Sequence, residues 1–329
     1  MRHKVLPIWL ALIVILALTV FVAGCGDSTD ESSTSASTGP TTVADVSGQE
    51  LIAQSGEKMA TIKSASFVAD VALNVDGDAT KVTDATQAAL LEEGITMHAA
   101  GKSATDPVAV DMTMNLSMGD FVLDFGLLAK GDKMWVEYQD KWYKVDQKNS
   151  SAVSSQASSG ASPTEQMKSL GLDPADWGTT YTVVGTETLD GTEVYHVHAT
   201  ADPEKVAAAV VNAMNDPDLA KKLGDEDAAS QLEQALSQTS TDTEQLKKML
   251  KDVSVDYWIG VDDMLTHKMA FAATLDTTGQ KDMDGVTAMS ISMTATMNDF
   301  NEPVTVTAPA KSQSFDKLTE QVLGGMTGF

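Results

Sequence analysis

The chain has 329 residues, and its 22 Lys and Arg against 47 Asp and Glu give a formal net charge of −25. Such acidity excludes a protein that grips a phosphate backbone through clustered basic side chains, so no nucleic-acid partner is expected. An apolar content of 43% excludes a polytopic membrane protein and a wholly disordered chain, while the single cysteine, Cys25, excludes a disulfide framework and a multi-cysteine metal site.

Arg2, His3 and Lys4 precede an apolar run from Val5 to Val22, and the small residues Ala23 and Gly24 follow. A basic start, an apolar stretch and a small-residue exit predict a secretory signal peptide over residues 1–24. Val22-Ala23-Gly24-Cys25 resembles the lipobox of bacterial lipoproteins. The resemblance implies that diacylglycerol joins the Cys25 sulfur, that the chain is cut before Cys25, and that the new amine takes an acyl group such as palmitate. One acyl chain holds a protein only marginally, whereas two or more anchor it at about 0.8 kcal/mol per buried CH₂. The expected location is extracytoplasmic, lipid-anchored on a cell membrane. No later apolar run reaches the roughly 18 residues of a spanning helix.

Residues 25–48 read as the lipidated cysteine and a flexible tether. Eleven of the 23 residues from Gly26 to Gly48 are Ser or Thr, with Asp27, Asp30 and Glu31 among them and no aromatic. A stretch this polar cannot bury enough surface to fold, and as a coil it spans roughly 25 Å. A folded domain is expected over 49–329. Ser47 and Glu50 have capping-box spacing, and Leu51, Ile52, Ser55, Met59 and Ile62 follow at helical intervals.

The period then changes to two, with Ala65, Phe67, Ala69, Val71, Leu73 and Val75 on one face. A short helical piece from Asp84 to Glu92 leads into a strand over Ile95–Gly101. A meander follows over Met112–Met118, Phe121–Leu127, Met134–Tyr138 and Trp142–Val145, with turns at Gly119-Asp120, Lys130-Gly131-Asp132 and Gln139-Asp140. Ser162-Pro163-x-Glu165 marks a helix start after a Ser/Ala-rich stretch. Tyr181–Leu189 and Thr192–Ala201 form a hairpin around Asp190-Gly191. Residues 202–252 read as a helical insertion, with starts at Asp202-Pro203, Asp216-Pro217 and Thr241-x-x-Glu244. Strands resume at Val253–Ile259, Leu265–Leu275 and Val286–Met297, and Phe315, Leu318, Val322 and Leu323 predict a closing helix. About eleven strands without regular helix alternation predict an α+β fold: one strongly curved antiparallel sheet, an open β half-barrel with helices on its concave side.

Five segments carry a family resemblance over about residues 50–310. They are Leu51-Ile52-Ala53-Gln54 through Ile62-Lys63-Ser64-Ala65-Ser66-Phe67, Gly131-Asp132-Lys133 through Lys141-Trp142-Tyr143, and the Gly185-x-Glu187 to Asp190-Gly191 hairpin. Tyr257-Trp258-Ile259 through Asp262-Asp263 and Phe300-Asn301-x-Pro303-Val304 through Ala308-Pro309-Ala310 complete them. In order and spacing the chain resembles the LppX/LprG-type bacterial lipoproteins of the LolA/LolB-like half-barrel group. The resemblance implies a half-barrel whose concave, helix-capped face encloses an apolar cavity for acyl chains. It also implies that the protein carries or presents a lipid or glycolipid in the cell envelope.

Moving a two-chain lipid through water exposes about thirty methylenes, on the order of 24 kcal/mol, so a carrier must shield the tails. Methionine suits such walls because it is unbranched and polarizable. Met112, Met114 and Met118 alternate on one strand, as do Met289, Met293 and Met297 on another. Met112, Met114, Leu116, Met118, Phe121, Leu123, Phe125, Met289, Ile291 and Met293 are the expected cavity lining, and an ordinary core beneath the helices is the competing reading.

No G-x-S-x-G elbow, G-x-x-x-x-G-K-[ST] loop or H-E-x-x-H motif occurs, so no catalytic residue and no enzyme activity is expected. His196 and His198 project to one strand face in ligand-like geometry, with His98 or His267 as conceivable third ligands, but solvated histidines are the simpler reading. Asn74-x-Asp76-Gly77-Asp78 and Asp282-x-Asp284-Gly285 lack the distal Glu of an EF-hand and read as turns. No metal and no cofactor is expected. The expected partners are a lipid or glycolipid, the membrane through the acyl anchor, and an envelope transporter or other membrane protein. The alternative function is an envelope sensor or interaction module contacting a membrane partner.

Overall fold

Alternation of apolar and polar residues governs most of this chain, and the fold gathers it into one sheet. The computed structural model describes residues 46–82, 85–119, 121–146, 168–214, 216, 247–279 and 285–318. The signal peptide, Cys25, the tether up to residue 45 and the helix starts at Ser162-Pro163 and Thr241 lie outside the described residues, while the last residues read as tether, Ser47 and Gly48, cap and begin the first helix. Asp282 and Asp284, Pro217 of the Asp216-Pro217 start, and the end of the closing helix also lie outside them.

The strands are β1 (Ser64–Gly77), β2 (Ile95–Thr105), β3 (Val108–Met118), β4 (Phe121–Lys130), β5 (Lys133–Tyr138) and β6 (Lys141–Val145). They continue with β7 (Thr180–Leu189), β8 (Thr192–Thr200), β9 (Leu250–Gly260), β10 (Thr266–Asp276), β11 (Val286–Asn298) and the two-residue β12 (Gln313–Ser314). Their spatial order is β12-β6-β5-β4-β3-β2-β1-β11-β10-β9-β8-β7. All pairings are antiparallel except β12 with β6. The outermost strands do not join, so the sheet is an open half-barrel with the first strand in its middle. β1–β11 answer the eleven expected strands, and β12 is an addition too short to leave a sequence pattern. β9 starts at Leu250, within the stretch read as helical, because Leu250 pairs with Leu275 and packs on the core.

Register assigns each side chain to a face, since directly paired residues point the same way. Val71, Met293, Phe271 and Val255 are linked by pairing across β1, β11, β10 and β9, and Val71, Met97, Leu116 and Leu123 across β1, β2, β3 and β4. This inner face is apolar along almost its whole length. The outer face carries Ser, Thr, Asp and Asn, such as Asp70, Asn74, Ser292 and Thr294.

Turn chemistry fixes the hairpins. Asp190 and Gly191 have φ of 50° and 89°, the paired positive values of a type I′ turn. Gln139 and Asp140 adopt the same form at 50° and 59° without a glycine.

Helices α1 (Gly48–Met59), α2 (Ala85–Glu93) and α3 (Pro203–Met214) cover part of the inner face. The Ser47 hydroxyl caps α1 by accepting the Glu50 N–H at 3.3 Å, and Leu51 seats the helix on Val197 and Ile259. A Cβ at Gly48 would stand 3.0 Å from Val197 Cγ1, so glycine permits this close approach. The Asp202 carboxylate caps α3 by accepting the Glu204 N–H at 3.0 Å, and Val206 enters the main core. A 3-10 turn over Pro174–Trp177, capped by Asp173, brings Trp177 onto that core. On the outer face, the segment after β11 lays Val304 and Val306 over Ala109, Leu128 and Trp135, and Lys130 Nζ donates to the Val306 carbonyl at 3.0 Å.

Ile259 is 0% exposed between α1 and the sheet. Replacing it with alanine should lower unfolding free energy by about 2–5 kcal/mol in urea titration, through lost transfer energy and the cavity left behind.

Candidate functional site

The inner face divides into a packed part and a half-open part. On β1 and β11 the register pairs are Val71 with Met293, Leu73 with Ile291 and Val75 with Met289. Met289, Ile291 and Met293 are 3%, 8% and 6% exposed, and Val206 of α3 and Trp177 pack against the same cluster. On β3 and β4 the pairs are Met112 with Leu127, Met114 with Phe125, Leu116 with Leu123 and Met118 with Phe121. Met112, Met114, Leu116, Met118, Leu123, Phe125 and Leu127 are half-buried, and Phe121 is 51% exposed. Seven of the ten expected lining residues therefore sit together on β3 and β4. The other three stand on β11, with β1 and β2 between, in the core under α3.

Residues not singled out from sequence extend the half-open part. Met97 on β2, Leu127 on β4, and Val136 and Tyr138 on β5 face the same side and are half-buried. Phe125 and Tyr138 stack with centroids 5.7 Å apart. Their signal was the strand register set by the Gly131-Asp132 turn. Gly101 lies between Phe67 and Met112 in register, and a Cβ there would stand 2.4 Å from the Asp111 carbonyl oxygen. Only glycine fits this close approach within a strand.

Fully burying a Met, Leu or Phe side chain is worth about 1.5–3 kcal/mol, so this group of half-exposed residues leaves on the order of 10 kcal/mol of apolar burial unrealised. The tip of the β3–β4 hairpin continues this group outward, with Val122 53% exposed beside Phe121.

His98, His196 and His198 occupy the outer face, and each of these and His267 is bound to a carboxylate. His196 Nε2 and His198 Nδ1 each lie 2.8 Å from Asp256 Oδ1. His196 stacks on Trp258 at 4.7 Å, the Trp258 indole N–H donates to Glu187, and Lys268 Nζ stands 4.5 Å from the Trp258 ring centre. Desolvation raises the Asp256 pKa, but hydrogen bonds and charge from the two histidines outweigh it and hold the carboxyl below its ordinary 3.8. His98 bonds Asp70 at 2.7 Å and His267 bonds Asp263 at 3.0 Å, so neither joins the pair. Asp78 caps a 3-10 turn, accepting the Thr80 N–H at 3.1 Å and pairing with Lys81 at 3.2 Å. No three or more His, Cys, Asp or Glu among the described residues are arranged to hold a metal ion. No helix among them is long and apolar enough to cross a membrane.

The model of a family of unknown function, DUF6612, matches residues 47–172. No curated protein matches the chain. Among solved structures, the chain is similar to the Mycobacterium tuberculosis lipoprotein LppX, with 18% identity and a TM-score of 0.35 over 78% of this chain and 97% of that one. It is also similar to LprF from Mycobacterium bovis, with 14% identity and a TM-score of 0.37 over 80% and 97%. A LolA superfamily protein from Nitrosomonas europaea shares 10% identity at a TM-score of 0.20 over 79% and 96%.

Two measurements test this division of the molecule. Met293→Ala should cost about 2–5 kcal/mol in urea titration, whereas Met114→Ala should cost less than about 1, since Met114 is incompletely packed. Because the Asp256 pKa is lowered by folding, its stabilisation is present above 3.8 and lost as pH falls through the lowered value. The stability gap between wild type and Asp256→Asn should therefore be widest near neutral pH and shrink in acid, as read by urea midpoints at both.

Proposed function

We propose that this protein is a lipid-anchored extracytoplasmic carrier, not an enzyme, that shelters the acyl chains of a lipid or glycolipid on the inner face of its half-barrel for transport or presentation in the cell envelope. One observation carries the reading: Met97, Met112, Met114, Leu116, Met118, Leu123, Phe125, Leu127 and Val136 form one half-buried apolar surface across four strands. Methionine and leucine walls adapt to flexible hydrocarbon without demanding one shape. The act performed is extraction, in which tails leave the bilayer for an apolar surface without crossing water. Acyl groups on Cys25 and the 25–48 tether would hold the domain within reach of the membrane, and the acidic body would be weakly repelled by an anionic lipid surface.

The outer edge of β7, unpaired among the described residues and with Val184 59% exposed, supports a second reading as an envelope sensor or interaction module that takes a partner strand. A membrane protein captured specifically by a chain with an empty inner face would favour it.

Native mass spectrometry of protein purified from its host should reveal co-purified lipid, and wild type should take up a fluorescent acyl probe. Met114→Asp with Phe125→Asp should weaken that uptake at least about tenfold by placing charges on the apolar face. Absence of both lipid and uptake in wild type would refute the carrier. Cys25→Ala should move the protein from the membrane fraction to the soluble fraction.

A further inference from the structure

The inner face carries three phenols at the end opposite the methionine surface. Tyr181 pairs with Ala199, Tyr257 with Val197 and Tyr195 with Ile259, so all three point inward around Val197 on β7, β8 and β9. They pack on Leu51, Val197 and Ile259 beneath α1. A tyrosine in such surroundings ordinarily finds a hydrogen-bond partner. None of these three hydroxyls has one among the described residues, and each residue is half-buried, not sealed. Burial, with Tyr181 beside it, pushes the Tyr257 phenol up to about 12, so it stays a neutral hydroxyl able to donate and accept.

The two ends are connected. Met269 on β10 lies opposite Tyr257 and Ala295; Met297, the next inward residue of β11, lies opposite Phe67, and Phe67 opposite Gly101, which lies opposite Met112. Met269, Met297 and Phe67 are half-buried, unlike Met289 and Met293 further along β11. This apolar path, bared of a side chain at Gly101, crosses five inter-strand steps of about 4.8 Å from β9 to β3. Positive charge is missing from the strands at the tyrosine end. No Lys or Arg occupies the inward positions of Tyr181–Val183, Tyr195–Ala199 or Val253–Ile259. An anionic head placed there would lose its hydration without gaining a counter-charge.

We propose that Tyr181, Tyr195 and Tyr257 form the polar end of the acyl-chain site and receive an uncharged, hydroxyl- or ester-bearing head group while the chains run along the path to β3 and β4. This assignment rests on the acyl-carrier reading and adds the orientation and the charge class of the cargo. The phenols supply hydrogen bonds to oxygen, and their rings supply apolar faces to the carbon skeleton of the head.

The test uses the full chain and an uncharged alkyl pyrene as the reporter of the apolar path. Dioleoylglycerol and dioleoyl phosphatidic acid, which share their acyl chains and differ in head charge, then compete for it. Wild type should yield to dioleoylglycerol at lower concentration than to phosphatidic acid. Replacing all three tyrosines by phenylalanine, which keeps the rings, should weaken dioleoylglycerol about tenfold and leave alkyl pyrene within about twofold. The single variant Tyr257→Phe should show a smaller shift in the same direction and lose the phenol titration near 12, so the inference stays open to test if the triple variant does not fold. Unchanged dioleoylglycerol affinity in the variants, or phosphatidic acid competing as well as dioleoylglycerol in wild type, would overturn the tyrosine assignment alone. Failure of alkyl pyrene to bind wild type would overturn the acyl-carrier reading and this assignment with it.

Discussion

One face of a long sheet made almost wholly apolar is the constraint from which the rest follows. Such a face must be covered, because water cannot be left against it without cost. The chain covers it unevenly. α3 and the Pro174–Trp177 turn close over β1, β11, β10 and the start of β9, and α1 closes over Val197 and Ile259. Along β2–β5 Met97, Met112, Met114, Leu116, Leu123 and Phe125 remain half-exposed. Stability and binding capacity are thus drawn from one continuous surface, and the boundary between them is set by where helices land.

Polar groups obey a matching division. Carboxylate–histidine pairs and caps occupy the outer face and the turns, where water shares in their solvation. Inside, Trp177 Nε1 and Thr277 Oγ1 are buried without a hydrogen-bond partner among the described residues, an arrangement that folded proteins tolerate only at a few places. The inner face is therefore not uniformly greasy. It carries a small number of hydrogen-bonding atoms that the protein itself leaves unanswered.

Much of this was legible in the sequence, and for an identifiable reason. Strands with one buried face must alternate, so Ala65 to Val75 and Met289 to Met297 declared both their conformation and their inward sets. Asp190-Gly191 declared its turn through the backbone freedom it needs, and Ser47 declared the start of α1. Other features leave no such mark. Gln139-Asp140 makes the same turn without glycine, and β12 is two residues long. The difference between Met114 and Met293 is invisible in one dimension, because both alternate with polar neighbours. What separates them is whether Val206 and Trp177 arrive above, a fact of tertiary placement. The three tyrosines leave no mark in the sequence for the same reason. Only pairing across β7, β8 and β9 brings them around one valine.

The central place of β1 has a consequence for how the molecule is made. Its two neighbours are β2, which follows after the short helix α2, and β11, whose pairing joins Ser66 to Asn298. A nascent chain emerging N-terminus first produces the middle of the sheet long before the strand that completes it. Non-local pairing of this span slows assembly, and an incomplete sheet shows an unpaired edge and bare hydrocarbon to its surroundings. Until residue 298 is available, Val71, Leu73 and Val75 have no β11 to lie against, and the half-made sheet leaves these three side chains without their largest cover.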